Sequence, residues 1–144
     1  MTSTAALSQP LYGATFGQAV KRFFAKYATF SGRASRSEFW WVALFEILLN
    51  AVFVVLLIVV LLTTGEQTET GVRGTGPEIV VLVIWGIVAL ALIIPHIAIT
   101  VRRLHDGNFS GWLYLLNLIP SVGSIIVLVL TLMPSNLEGS RYDR

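Results

Sequence analysis

Three long runs of apolar residues alternate with short polar segments along this chain. The first run lies in a predicted span at about 37–63 and is interrupted only by Glu46 and Asn50. At ~1.5 Å per residue its apolar part covers roughly 37 Å, which exceeds the ~30 Å hydrocarbon core of a bilayer. Ser35 and Glu38 have the spacing of a capping box directly before it. The pattern predicts a membrane-spanning helix.

The second apolar run predicts another span, at about 78–103. A Gly-Pro-Glu sequence at 76–78 is typical of a helix start, because proline suits the first helical position and an acid suits the first turn. Pro95 lies inside the run, so we expect a kink near the carbonyl of Ala91. Residues 64–76, between the two spans, are rich in Gly and Thr and are predicted to form a solvated loop.

The third apolar run, at about 111–133, is broken by Pro120 and Gly123 and leaves two interpretations open. One is a single kinked span of roughly 33 Å at ~1.5 Å per residue. The other is a re-entrant hairpin with its tip at 120–123, which membrane proteins tolerate where protein buries it. Each arm of a hairpin has only about ten residues, whereas a crossing needs ~20. Length therefore favours the single span.

Residues 15–28 have the pattern of an amphipathic helix, and residues 1–14 are predicted to be a flexible tail. Thr15 and Gln18 have capping-box spacing, and Lys26 lies with the other basic residues away from the apolar stripe. The segment is too short and too charged to span, so we expect it to lie in the membrane interface. The alternative is packing on another subunit or on the protein's own loops. The stripe consists of Phe16, Val20, Phe23, Phe24 and Tyr27.

The composition is that of a polytopic membrane protein. Of 144 residues, 55% are hydrophobic and 12% are charged, whereas a soluble domain carries about 25% charged residues. The chain has no cysteine and only two histidines, which predicts no disulfide and no metal site. The net charge of +2 is too small to indicate nucleic-acid binding. We predict an all-α protein with three transmembrane helices after an interfacial helix, in one membrane domain at 15–134 followed by a tail at 135–144.

The distribution of Lys and Arg predicts the orientation in the membrane. Seven lie before the first span or between the second and third, and three lie in the 64–76 loop or the C-terminal tail. This distribution places the N-terminus in the cytoplasm and, with three spans, the tail outside. If the tail lies inside, nine Lys and Arg residues lie on the cytoplasmic side and one lies on the other side. The distribution of charge therefore does not exclude the hairpin.

Four polar residues fall inside the predicted spans, where hydrocarbon makes them costly. Counted at ~1.5 Å per residue, Glu46, His96 and Asn117 each lie roughly 7 to 11 Å below the same predicted cytoplasmic boundary. This shared depth would bring Glu46 close to His96. They form either the proton- or substrate-binding cluster of an oligomeric transporter or channel, or interhelical hydrogen bonds of about 0.6 kcal/mol each. The four are Glu46, Asn50, His96 and Asn117, of which Asn50 is the one outside the depth comparison.

Arginines and a histidine flank the predicted cytoplasmic boundary. The planar guanidinium suits phosphate, so these side chains are candidates for binding anionic lipid headgroups or another phosphate-bearing ligand. The alternative is anchoring of the spans by positive charge, helped by ion pairs with Glu38 or Asp106. A further hypothesis is a lipid-phosphate enzyme that uses Arg103, His105 and Asp106, although the sequence shows no nucleophile, metal set or phosphate loop beside them. The candidates are Arg33, Arg36, Arg102, Arg103 and His105.

Two motifs, in order along the chain, resemble a known family. The string FSGRASRSEFW at 30–40 resembles the opening motif of the domain-of-unknown-function 805 family of small bacterial inner-membrane proteins. RRLHD at 102–106, followed by SGW at 110–112, resembles its second motif, and Ile119-Pro120 with Gly123 fits its third stretch. The family usually closes with Gly-x-Asn-Arg-Tyr/Phe-Gly, whereas residues 139–143 lack the Asn and the last Gly. The resemblance implies a plasma-membrane location and the same order of spans, and it implies no activity.

The sequence thus predicts a multi-pass protein of the bacterial inner membrane that is not an enzyme and holds no cofactor. We expect it to act by association with membrane lipids, anionic ones above all, with copies of itself or with a membrane protein partner.

Overall fold

A computed structural model describes Leu7 and residues 9–68, 71–73 and 76–143. The chain divides into two compact units, the first built from residues 1–43 and 94–144 and the second from 44–93. Helices form every described element except one two-stranded hairpin, so the predicted all-α class is confirmed. The elements are α1 (Phe16–Ala25), α2 (Arg36–Thr64), β1 (Glu66–Thr68), β2 (Gly71–Arg73), α3 (Pro77–Asp106), a first 3₁₀ helix (Gly111–Leu118), α4 (Val122–Leu132) and a second 3₁₀ helix (Leu137–Tyr142).

α2 and α3 are long and apolar enough to cross a membrane, with 29 and 30 residues. Their apolar side chains are exposed along most of their length; Ile47 is 64% exposed and Leu90 is 69% exposed. A soluble protein buries apolar helices, and contiguous exposed apolar surface of this extent marks contact with lipid. These two helices correspond to the first two predicted spans.

Capping boxes start α1 and α2 at the residues that the sequence indicates. The Ser35 hydroxyl accepts from Glu38 N at 3.2 Å, and Glu38 Oε2 accepts from Ser35 N at 3.0 Å. Thr15 and Gln18 form the corresponding pair of bonds before α1. Each box satisfies backbone N–H groups that have no partner within the helix, which fixes the residue at which the helix begins.

The connection between α2 and α3, which is predicted as a solvated loop, contains a short antiparallel pair of strands. β1 pairs with β2, with Glu66 opposite Arg73. α3 then begins at Pro77, and the Glu78 carboxylate accepts from Gly76 N at 3.0 Å. The predicted start of this helix is confirmed.

The third apolar run folds back on itself. The first 3₁₀ helix packs against α4, and the chain reverses between them. Both ends of the run lie beside the same end of α3, since Gly111 lies against Val101 and His105 while the carbonyl of Met133 accepts from Arg103. The structure therefore differs from the single kinked span that length favours and corresponds to the re-entrant alternative.

The two arms of this hairpin have matched lengths and a tight contact at the tip. Eight residues of 3₁₀ helix and eleven of α-helix each rise roughly 16 Å, about half of a bilayer core. Pro120 breaks the helical hydrogen bonding, and Ser121 follows it with a φ of 66°. A Cβ on Gly123 would overlap the carbonyl oxygen of Leu116, so only glycine allows the arms to approach this closely.

α1 packs on the first unit through part of its apolar stripe. Ala19 and Phe23 are each 1% exposed, whereas Phe16, Phe24 and Tyr27 remain exposed. One edge of the stripe therefore docks on the protein itself, as in the second of the two alternatives that the sequence leaves open, and the other edge is exposed. Its position in the membrane interface stays a prediction.

The C-terminal tail returns to the segment before α2. Gly32 N donates to Tyr142 O at 2.7 Å, and Arg33 binds the Asp143 carboxylate. Because these segments contact each other within one unit, we predict that they lie on the same side of a membrane, in place of the expectation that the tail lies opposite the N-terminal segment. The re-entrant hairpin supplies the physical reason, since it brings the chain back without a third crossing.

Candidate functional site

A buried carboxylate, Glu38, connects the N-terminal segment, α1 and α2. It is 2% exposed. Its oxygens accept from Leu11 N at 2.9 Å, from Ser35 N at 3.0 Å and from Nε of Arg22, with which it forms an ion pair. A buried charge is tolerated only when it is paired and hydrogen-bonded, and Glu38 meets both conditions.

A second buried carboxylate, Asp106, occupies the end of α3. It is 0% exposed, and it accepts from Tyr12 Oη at 3.0 Å, from Ser135 Oγ at 2.5 Å and from Nη1 of Arg103. Nη1 of Arg33 lies 3.8 Å from it. Burial is the largest cause that raises the pKa of Tyr12, so its phenol stays protonated and able to donate.

Two of the predicted site arginines bind the carbonyl end of α4. Arg103 is fully buried and donates from Nε to Thr131 O at 3.0 Å and from Nη2 to Met133 O. Arg36 donates from Nη2 to Leu132 O at 2.6 Å and from Nε to Met133 O at 3.1 Å. The last carbonyls of a helix lack intrahelical partners and carry partial negative charge. Both arginines therefore hold the second arm of the hairpin.

Arg33 and His105 bind the C-terminal tail. Arg33 donates from Nε and Nη2 to the two carboxylate oxygens of Asp143 at 2.8 and 2.6 Å, and this bond raises the pKa of Arg33. The His105 ring stacks on Tyr142 with 3.9 Å between ring centroids, and its Nδ1 lies 3.1 Å from the carbonyl oxygen of Gly32. A carbonyl oxygen only accepts, so Nδ1 carries the proton.

Lys26 and Arg102 are buried without a complete set of acceptors. Lys26 is 2% exposed and Arg102 is 1% exposed. Arg102 Nε donates to Ala98 O at 3.1 Å. Its Nη2 and the Nζ of Lys26 have no hydrogen-bond partner in the part of the chain that the structure describes. Burial, followed by the charges of Arg102 and Arg22, lowers the pKa of Lys26 to about 8.

A cavity of about 630 Å³ opens beside His105 in the first unit. α3 contributes Ile97 and Val101 to its wall, and the first 3₁₀ helix contributes Leu115 among other apolar side chains. The tail contributes Arg141 and Tyr142 at the polar end. The guanidinium carbon of Arg141 lies 4.8 Å from the centroid of the Tyr142 ring, and its Nη2 donates to Tyr142 Oη at 3.0 Å. Arg141 is thereby positioned at the mouth of an apolar cavity.

In the second unit, a hydrogen bond links the two long helices through a predicted polar residue. Asn50 Oδ1 accepts from Trp85 Nε1 at 3.1 Å, and its Nδ2 donates to the carbonyl of Glu46 at 2.8 Å. Asn50 therefore forms an interhelical hydrogen bond, which is one of the two roles that the sequence leaves open.

The other intramembrane polar residues belong to different units. Glu46 lies in the second unit, and His96 and Asn117 lie in the first. Asn117 Nδ2 donates to Tyr114 O at 3.0 Å, and the carbonyl of His96 accepts from Thr100 Oγ1 at 2.9 Å. The pairing of Glu46 with His96 stays a prediction.

Several residues of the network were not among the predicted candidates. Tyr12 and Asp143 lie in segments predicted as tails, which have no periodic pattern to reveal their partners. Lys26 was predicted to lie away from the apolar stripe, but the structure buries it. The signal was present in the spacing, because Lys26 follows Ala19 by seven positions and Phe23 by three, which places all three on one helix face.

These features define a polytopic helical membrane protein with two long apolar helices, a re-entrant hairpin and a buried network of arginines and carboxylates. Within the described residues, no group of three or more His, Asp and Glu side chains is placed to hold a metal ion. The chain belongs to the family described as protein of unknown function (DUF805), which matches residues 27–144. The resemblance indicated by the two sequence motifs is confirmed.

Two relatives place the protein in the inner membrane of bacteria. The chain is 36% identical to inner membrane protein YhaH of Escherichia coli strain K12 over 103 residues, which cover 72% of this chain and 74% of that protein. It is 31% identical to inner membrane protein YhaI of the same strain over 116 residues, covering 81% and 84%. No solved structure matches the chain.

Proposed function

We propose that the protein binds anionic phospholipid in the cavity beside His105. The observation that carries this proposal is an apolar cavity, on a membrane protein, with an arginine held at its polar end. Its volume of about 630 Å³ lies within the usual range of roughly 300–1,000 Å³ for ligand sites.

The apolar wall suits one acyl chain. Ile97, Val101 and Leu115 present hydrocarbon without competing charge, and Trp112, which is 79% exposed, borders the opening. Burying each methylene of a ligand contributes about 0.8 kcal/mol, so a few methylenes in this wall stabilise the complex substantially. Trp at this position also suits the boundary between hydrocarbon and headgroups.

Arg141 supplies the recognition of charge. It is exposed, and its contact with Tyr142 fixes the guanidinium beside the cavity. A planar guanidinium binds phosphate oxygens in pairs. In a zwitterionic headgroup an ammonium group offsets the charge of the same phosphate, so an anionic headgroup binds the arginine more strongly. Arg33, Arg36 and Arg103 donate instead to acceptors within the protein. We therefore assign headgroup recognition to Arg141 and not to these three predicted candidates.

The distribution of charge supports a cytoplasmic location for this cavity. With the tail on the side of the N-terminal segment, nine Lys and Arg residues lie on that side and one lies on the other. Positive residues accumulate on the cytoplasmic side of inner-membrane proteins. The cavity then faces the leaflet whose anionic lipids attract basic groups.

Native mass spectrometry in a neutral detergent, with equal amounts of phosphatidylglycerol and phosphatidylethanolamine, tests the proposal. We expect preferential retention of phosphatidylglycerol and a loss of that preference by about fivefold or more in Arg141→Gln, since a charge-assisted hydrogen bond contributes about 1.5–3 kcal/mol. Arg73→Gln is the matched control, because it removes the same charge from β2 in the second unit.

A second variant separates the cavity from general surface charge. Leu115→Trp fills the apolar wall while Arg141 stays in place, and it is expected to reduce lipid retention without changing the thermal midpoint greatly, because Leu115 is 50% exposed. Equal retention of both lipids by the unmodified protein, or an unchanged preference in Arg141→Gln, would contradict the proposed function.

A further inference from the structure

The surroundings of Lys26 contain more buried positive charge than the described acids balance. The charges that act on its ammonium come from Arg22 on α1, Glu38 on α2, Arg102 on α3 and Asp143 in the tail. The two acids already have partners. Glu38 binds Arg22 and two backbone N–H groups, and Asp143 binds Arg33 through both oxygens. Among the described residues, Lys26 Nζ and Arg102 Nη2 are therefore left without a hydrogen-bonded acid, although the charge of Glu38 acts on both groups.

Burial makes this excess costly. Lys26 is 2% exposed and Arg102 is 1% exposed, and each has a buried nitrogen without an acceptor among the described residues. An unpaired buried charge costs several kcal/mol, because neither water nor an opposite charge replaces its lost hydration. Hydrogen-bond donors left in this state point to an acceptor that the chain itself does not provide.

We propose that Lys26 and Arg102 hold one small inorganic anion, of the size of chloride, between α1 and α3. Lys26 Nζ and Arg102 Nη2 are buried donors without an acceptor among the described residues, and they belong to the same unit. The charge of Arg102 acts on the ammonium of Lys26, and an anion would neutralise both. The enclosure of both nitrogens favours a monatomic ion over a lipid headgroup. This site involves none of the residues that line the cavity beside His105, so it is independent of the proposed function.

The anion stabilises the packing of the buried face of α1 on the first unit. Lys26 follows Phe23 on the buried face of that helix, so an ion on its ammonium holds the same face that packs on the first unit. Binding to the folded state alone stabilises it in proportion to the logarithm of anion concentration. The pKa of Lys26, about 8 without the anion, adds a pH dependence. The ammonium is present below that value and lost above it, so the anion is held at pH 7 and released toward pH 9.

The experiment measures the thermal midpoint of the full chain in a neutral detergent as sodium chloride replaces sodium gluconate at constant ionic strength. We expect a saturable rise of about 3 °C or more at pH 7 that shrinks at pH 9. Lys26→Met removes the cation while keeping much of the side-chain volume, and its midpoint is expected to be independent of chloride. Lys21→Met, on the exposed face of the same helix, is expected to keep the full chloride response.

A measurement on the unmodified protein covers the case in which Lys26→Met fails to fold. Broadening of the chloride-35 NMR line by the wild-type protein, reversed by bromide, supports the site without any variant. The proposal is overturned by identical midpoints in chloride and gluconate without line broadening, or by an equal chloride response in Lys26→Met. A stabilisation by phosphatidylglycerol, absent with chloride, that Lys26→Met abolishes and Arg141→Gln keeps would also overturn it, and would assign these donors to a lipid phosphate.

Discussion

Arg103 shows why arginine serves the buried core of this protein. Three of its nitrogens donate at once, to the carbonyls of Thr131 and Met133 and to the carboxylate of Asp106. A guanidinium presents five donors in a fixed plane, whereas an ammonium is a compact charge with three. One side chain can therefore neutralise an acid and also satisfy the open end of a helix. Lys26, the buried lysine, has no acceptor among the described residues, which is consistent with this difference.

Removing the acid from this arrangement is expected to destabilise the protein strongly. Asp106→Ala leaves the Arg103 charge buried without its counter-ion, which costs about 3–5 kcal/mol. Thermal unfolding in detergent measures the effect. Glu138→Ala is the control, because Glu138 is exposed and its carboxylate accepts a hydrogen bond from Asn108 Nδ2 at 2.8 Å. Similar midpoints for the two variants would show that Asp106 is not essential to the buried network.

At the scale of helices, the sequence predicts the features that depend on neighbours in the chain. The capping boxes at Thr15 and Ser35 and the proline start of α3 form as expected, because each needs only residues within one turn. The hairpin is different. Pro120 and Gly123 are visible as breaks, but length favours a span, and the contacts that decide the outcome come from Arg36 and Arg103, far away in sequence. The cavity and the tail contacts were unpredictable for the same reason.

The closeness of the two arms gives a prediction for the hairpin. Gly123→Val places a branched side chain where even a Cβ would overlap Leu116 O, so the arms must separate. We expect a fall of the thermal midpoint by about 5 °C or more, since overpacking typically costs 1–3 kcal/mol. Ser124→Val places the same side chain at the adjacent exposed position and is expected to change the midpoint little. Equal effects would mean that the arms are not in contact.

For the whole molecule, the contact between the tail and the segment before α2 predicts a topology. In this prediction, two crossings by α2 and α3 return the chain to its first side, and the hairpin leaves it there. Arg33 and Asp143, 110 positions apart, can then form their ion pair in one compartment. A third crossing would separate them by the thickness of the bilayer.

Single-cysteine labelling tests this topology cleanly, because the chain has no cysteine of its own. Gln9→Cys and Ser140→Cys, both at exposed positions, are expected to react with a membrane-impermeant maleimide only after spheroplasts are lysed. Gln67→Cys, in β1 between the two long helices, is expected to react in intact spheroplasts. Different behaviour of the two terminal positions would contradict the re-entrant hairpin, and a reversal of all three would contradict the cytoplasmic orientation.

The long separation between Arg33 and Asp143 also has a consequence for biosynthesis. At about 5–20 residues per second, translation delivers Asp143 roughly 6 to 22 s after Arg33, since 110 positions separate them. During that interval the two long helices are synthesised, and Arg33 and Asp106 lack their partners from the tail until its end. The open form exposes charges that the mature form hides, which gives membrane proteases and chaperones a way to distinguish a stalled chain from a finished one.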